Sequence, residues 1–379
     1  MQEPRARTAG DLVVIAVFIA SLLAPAVLAL TGHMRADTDF IVQTEGRFPF
    51  HAPRISSGAL ATAGYERDLE RQIADTFPLR TKLIEAYAWP RFVWLGETTS
   101  KYVVRAPDGW LFYRHDDERT YVTREWNPTD AELQHIAGIY ADRARWCAQR
   151  GIHYVFYIAP NKTTIYAEKA PAWYRPVAPT PLDRLLPMLR ARGVATVDLR
   201  PPLEEAAKHG EVYSRGDTHW NGEGAYVAYR AILPLLRSAG VRDMVTPSGT
   251  HVERAHGDLL SFSGVPGVEN DVVIVDYPHH AVDGGVPEYA QDVANDDFMP
   301  AHILTVADPH LPKAVMFGDS FSGPMLPFFA EDFRRTIFFQ QHLPNTPHFD
   351  RHIVEAEHPD VVIQELVERS LVFGAQFLP

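Results

Sequence analysis

The sequence of 379 residues predicts an α/β protein: a parallel sheet in three α/β/α layers, with insertions, preceded by one N-terminal transmembrane helix. Three observations carry this reading. From residue 129 onward, apolar runs of strand length alternate with helical stretches, as in a doubly wound sheet. Two loops concentrate polar chemistry, Asp217-Thr218-His219-Trp220 and, about a hundred residues later, Gly318-Asp319-Ser320-Phe321-Ser322. Leu12 to Leu30 is a stretch of nineteen residues without a charge, about the length that spans a bilayer core.

Taken in order, residues 1–33 read as a cytoplasmic tip and a signal anchor. Arg5 and Arg7 precede the apolar run, while Asp37 and Asp39 follow with Arg35, so the positive-inside bias places everything after residue 33 outside. A cleaved signal peptide is the competing reading, with Val27-Leu28-Ala29 as the cleavage site. The run exceeds the usual signal core of about 7–15 residues, which favours the anchor. Residues 34–100 form a helical lead-in, with helices at Tyr65 to Thr76 and Arg80 to Leu95 separated by Pro78.

Residues 101–379 form the main domain. Tyr102 to Tyr113 reads as strand–turn–strand around Pro107-Asp108-Gly109. Thr129 and Glu132 make a capping box for a helix that Gly151 closes. His153 to Ala159 is a strand, Leu182 to Arg192 a helix entered at Thr180-Pro181, and Val194 to Leu199 the next strand. Asn221 caps a helix over Gly224 to Ser238. A loop-rich insertion covers about 241–312. Strands follow at Lys313 to Phe317, Thr336 to Gln340 and Asp360 to Glu365, with a helix at Asp350 to Glu357.

Composition excludes some functions. A net charge of −12 with no basic run argues against a nucleic-acid partner. The single Cys147 rules out an intramolecular disulfide and reads as a small apolar filler of its helix. No cofactor is expected. No metal is expected either: Asp217 and His219 supply two ligands, and a third would have to come from His251, His256 or the 279–280 pair.

The two polar loops complement one another. A serine hydroxyl becomes a good nucleophile when a histidine takes its proton and a carboxylate holds that histidine in the right tautomer. Asp217 and His219, two apart, project to one side of an extended segment. Ser320 follows the apolar run Ala314-Val315-Met316-Phe317, at the carboxyl end of a strand, where open α/β sheets bind ligands. The set Ser320, His219 and Asp217 suits acyl transfer. The Ser320 amide is one oxyanion donor, and Asn161 and Lys162, directly after the 153–159 strand, are candidates for the second. Tyr213, Arg215 and Trp220 flank the acid–base pair as candidate substrate contacts, with packing against the sheet the alternative for Trp220; Arg369 is a further candidate, and with Glu368 it reads either as a solvated pair or as a supporting ion pair near the rim.

From about residue 70 to the end, these residues resemble the alginate O-acetylation family of AlgJ/AlgX type. The resemblance rests on Phe77-Pro78-Leu79-Arg80, Asp108-Gly109-Trp110-Leu111-Phe112, Ala159-Pro160-Asn161-Lys162, the two loops above, and Val367-Glu368-Arg369-Ser370-Leu371. It implies an SGNH-hydrolase-like, flavodoxin-like fold, with nucleophile Ser320, base His219 and orienting acid Asp217. Common SGNH hydrolases place the serine first and an Asp-x-x-His last; here the order is reversed and the spacing is Asp-x-His. The resemblance further implies a periplasmic enzyme, held at the inner membrane by its N-terminal helix, that acetylates an exopolysaccharide beside a membrane-bound O-acyltransferase. The carbohydrate-binding module of AlgX-like members is not expected before Pro379. An acetyl esterase with the same triad and a non-catalytic scaffold of an export complex are the rival expectations.

Overall fold

Why these residues build a rim of polar loops is visible in the computed structural model, which describes residues 8–31, 37–45, 47–51, 64–285, 301–341 and 349–376. The chain divides into two units, Met1–Tyr102 with Leu260–Val268, and Val103–Leu259 with Glu269–Pro379. The first contains helices Ala9–Thr31, Thr38–Glu45, Tyr65–Asp75 and Arg80–Pro90. The expected helix to Leu95 ends differently: Pro90 has no N–H to give the helical ladder, and Arg91–Leu95 continues as a wider π turn closed by Gly96 at φ 71°. Buried Asp75 takes two bonds from Arg47, at 2.7 and 2.6 Å, and the Phe50 amide at 2.9 Å.

Leu12, Val13, Val14, Phe18, Leu22 and Leu23 are exposed on the helix Ala9–Thr31. Among the described residues no helix is long and apolar enough to cross a membrane. The side chains at positions 25, 26, 29 and 30 lie outside those described, as do Arg5, Arg7 and Arg35 of the expected orientation signal.

In the second unit, β1 (Val103–Arg105) and β2 (Leu111–Tyr113) pair antiparallel around the turn Pro107–Gly109. The main sheet contains β3 (His153–Ala159). A separate antiparallel pair, β4 (Gly249–Ala255) with β5 (Asn270–Asp276), lies within the stretch read as loop-rich. That stretch also supplies β6 (Val282–Asp283) and β7 (His302–Thr305), both in the main sheet. β8 (Lys313–Gly318), β9 (Arg335–Gln340) and β10 (Val361–Val367) complete it in the order β3-β10-β8-β9-β7-β6. The first four strands are parallel; β7 and β6 add antiparallel at one edge. The expected strand Val194 to Leu199 is not a member. It makes one parallel bridge, Val155 to Ala195, and then turns into the helix Arg200–Ala207, where Asp198 accepts the Arg200 amide at 3.1 Å.

Alternation along the strands explains the three layers. Val155 and Tyr157 pack with Ala225, Ala228, Tyr229 and Ile232 of the helix Gly222–Leu236. Tyr154, Phe156 and Ile158 face the other way, onto Leu133, Ile136 and Tyr140 of Asp130–Ala148 and Leu182, Leu185 and Leu189 of Pro181–Ala191. Tyr140 stacks on Phe156 with ring centroids 3.7 Å apart. The expected caps are present: Thr129 accepts the Glu132 amide at 3.2 Å, and Asn221 accepts that of Gly224 at 3.0 Å. Because β10 lies between β3 and β8, the chain leaves three neighbouring strands on one rim, after Ala159, Gly318 and Val367.

Candidate active site

His219 Nε2 lies 2.8 Å from Ser320 Oγ, and His219 Nδ1 lies 2.7 Å from Asp217 Oδ1. That oxygen also accepts the His219 backbone amide at 2.8 Å, so one carboxylate orients both the residue and its ring. The three side chains expected from the sequence meet in the order a proton relay requires. Burial pushes the His219 ring down, but the Asp217 hydrogen bond and the charges of Asp217 and Asp258 outweigh it and leave the ring above the ordinary histidine value. Burial acts against the Asp217 carboxylate too, and the bonds it accepts still hold it well below the usual range.

The nucleophile turn has its own framework. Asp319 caps the 3-10 turn Ser320–Ser322: its Oδ1 accepts the Phe321 amide at 2.9 Å and its Oδ2 the Val367 amide at 2.8 Å. Glu365, on β10, accepts the Asp319 amide at 2.8 Å and the Ser322 hydroxyl at 2.9 Å. Burial and the Asp319 charge raise Glu365 well above the usual carboxylate range. Gly318 is required by space: a Cβ there would lie 2.2 Å from Ser322 Oγ and 2.8 Å from Glu365 Oε2. The Ser320 amide opens the turn, where helical N–H groups have no intrahelical acceptor.

Lys162 has a different role from the substrate or oxyanion contact expected of it. Its buried Nζ donates to the carbonyls of Ser214, Arg215 and Asp217 at 2.7, 2.8 and 2.9 Å, which uses all three protons of an ammonium. It clamps the loop that presents Asp217. Burial pushes the ammonium down to about 7, against the upward pull of Asp217, Asp258, Glu118 and Glu211.

Asn161, the other candidate for the second donor, is buried as well. Its Oδ1 accepts the Arg369 amide at 3.2 Å, and its Nδ2 is buried without a hydrogen-bond partner, a fixed donor still to be used. Tyr213 and Trp220 are buried and structural: Tyr213 donates to the Pro160 carbonyl at 2.7 Å, and Trp220 Nε1 to that of Phe321 at 3.1 Å. Neither presents a face for a sugar to stack on. Arg215 is exposed, bonded to Glu211 and the Asp108 carbonyl, and lines an open cavity of about 530 Å³ with Trp110, Tyr166 and Lys169. Arg369 does not pair with Glu368. It faces Asp117 at 3.3 Å and Glu118 at 3.7 Å, over the rings of Tyr113 and Phe321. Glu368 instead accepts Tyr121 Oη, the Asn161 amide and Thr164 Oγ1 at 2.6, 2.9 and 2.6 Å.

Asp258, Asp319 and Glu365 were not singled out by sequence. A glutamate inside the run Val-Val-Ile-Gln-Glu-Leu-Val was the available signal for Glu365, since buried strands rarely carry unpaired charge. Asp217, His219 and Asp258 offer ligand atoms within 4.8 Å of one another. Both ring nitrogens of His219 are engaged, Nδ1 by Asp217 and Nε2 by Ser320.

The chain is similar to proteins of known kind. It is 30% identical over 168 residues to the probable alginate O-acetylase AlgJ of Pseudomonas aeruginosa, covering 42% of this chain and 40% of that protein. It is 27% identical over 224 residues to the AlgJ of Azotobacter vinelandii, covering 55% and 52%. It thus matches about half the length of these relatives or less. Bacillus cereus PatB1, solved with a sulfonyl adduct, superposes over 71% of this chain and 97% of its own, with TM-score 0.51 and 15% identity, a likeness of fold. Residues 103–338, well over half of the chain, match the model of one family, and the chain belongs to it: the SGNH hydrolase-like domain, acetyltransferase AlgX.

Proposed function

We propose that this chain is an O-acetyltransferase that carries acetyl as an ester on Ser320 and delivers it to a hydroxyl of an exported polysaccharide, alginate-like or another. The relay of 2.7 and 2.8 Å from Asp217 through His219 to Ser320 is the observation that carries the reading. In the first half-reaction, Ser320 Oγ attacks the acetyl carbonyl carbon as His219 Nε2 takes its proton. The bond to the donor's leaving group breaks, and His219 returns the proton to that group. In the second half, a sugar hydroxyl gives its proton to His219 and attacks the acetyl carbon, and Ser320 Oγ departs with the proton. The Ser320 amide and Asn161 Nδ2 stabilise the oxyanion in both halves.

The apolar run Leu12 to Leu30 supports an inner-membrane anchor with the catalytic unit in the periplasm, and a membrane-bound O-acyltransferase as the source of acetyl. The name of the AlgJ relatives supports the polysaccharide. The test is product analysis with an activated acetyl ester and an oligosaccharide acceptor. Acetylated oligosaccharide that disappears in Ser320→Ala is the expected result. Free acetate alone, at a rate the acceptor leaves unchanged, would replace this reading with an esterase. No labelling of Ser320 by a serine-reactive phosphonate would replace it with a scaffold.

A further inference from the structure

We propose that Asp258 is a second positioning carboxylate of the acid–base pair: it locks the Asp217–His219 loop and adds its charge beside the ring nitrogen that Asp217 holds. This rests on the catalytic reading above and extends it to a residue with no place in a three-residue relay.

The lock is reciprocal. The Asp258 amide donates to Asp217 Oδ2 at 3.1 Å, while Asp258 Oδ1 accepts the amide of Thr218, the residue after Asp217, at 2.7 Å. Thr218 Oγ1 donates to Asp258 Oδ2 as well, and Thr218 is buried. The two segments touch as closely as backbone allows. A Cβ on Gly257 would lie 2.2 Å from the Gly216 carbonyl oxygen and 3.0 Å from Asp217 Cβ, so only glycine brings Asp258 this near.

Both oxygens of Asp217 are therefore committed, Oδ1 to His219 and Oδ2 to the Asp258 amide, and the carboxylate cannot rotate away from the ring. Asp258 Oδ2 itself lies 3.7 Å from His219 Nδ1, beyond a hydrogen bond but well within the range of charge. When His219 takes the Ser320 proton, the imidazolium faces two carboxylates rather than one. The charged groups around the ring are Asp217 on its own loop, Asp258 from the neighbouring turn, and Arg369 beyond β10, which acts the opposite way. Lys162, on the carbonyl side of Asp217, also feels both carboxylates. Burial and the Asp217 charge raise Asp258, and His219 draws it back.

The experiment is the pH dependence of kcat/KM for an activated acetyl ester in the full chain, with Asp258→Asn, Asp258→Glu and Ser320→Ala beside wild type. Asn keeps an acceptor for the Thr218 amide and removes the charge. The expected result is an acidic limb displaced downward by about half a unit to one unit, with a plateau lowered roughly tenfold. Glu keeps the charge, and its limb should stay at the wild-type position while its plateau falls. A residue with only a structural role would lower the plateau and leave both limbs in place. An unmoved limb in Asp258→Asn, or, where that variant does not fold, a displaced limb in Asp258→Glu, overturns the proposal. Wild-type turnover that survives in Ser320→Ala would instead overturn the catalytic reading, and this inference with it.

Discussion

Replacing Lys162 with Met keeps most of the buried stem and removes the ammonium. Three carbonyls lose a donor, those of Ser214, Arg215 and Asp217. The Arg215 oxygen retains the Leu111 amide at 3.0 Å and the Ser214 oxygen the Asp217 amide at 3.4 Å, so the loss at the Asp217 oxygen dominates. One buried acceptor left unpaired puts the cost of Lys162→Met at about 1–3 kcal/mol. That is a large part of the roughly 5–15 kcal/mol that holds a domain together. Urea unfolding of residues 34–379 should show the loss as a lower midpoint at unchanged slope. Ester turnover should fall with it, in kcat rather than KM, because the loosened loop is the one that carries Asp217. A variant within about 1 kcal/mol of wild type that only raises KM would refute the reasoning and return Lys162 to the substrate.

Three further outcomes follow from the same geometry. Asp319→Ala strips the acceptor from the Phe321 and Val367 amides and should cost about 2–4 kcal/mol by denaturant unfolding, with Asp319→Asn losing less because it keeps one oxygen. Asn161→Ala should lower kcat by about 10²–10³-fold in steady-state ester turnover, as loss of one oxyanion donor does, and a change confined to KM would count against that role. The rate needs His219 neutral, and the Asp217 bond raises the ring, so turnover should climb with pH and reach half its plateau above the ordinary histidine value of 6.5; a pH–rate profile with its midpoint at or below 6.5 would contradict this.

Much of the site was legible because local rules and the tertiary fold agree there. Asp217, His219 and Ser320 carry residue types that have few other reasons to sit on tight loops after apolar runs, and Thr129, Thr180 and Asn221 start their helices as side-chain N-caps do. Sequence position locates Lys162 and Trp220 near a rim without telling which way either points. Both turn inward, one to carbonyls and one to the core. Val194 to Leu199 has strand composition, yet pairing is decided by neighbours, and Arg200 ties the segment to Asp198 and Asp183 instead. Asp258 approaches Asp217 from forty-one residues away in the chain, a contact that only the folded backbone creates.

The central claim is that Ser320 takes the acetyl group. Intact-mass measurement of residues 34–379 after exposure to an activated acetyl ester tests it most directly, with Ser320→Ala and His219→Ala alongside. One acetyl on wild type, mapped by peptide analysis to Ser320, and none on either variant is the expected result. An acetyl that persists in Ser320→Ala, or a wild type that turns over ester while never carrying an adduct under quenched single-turnover conditions, would contradict it.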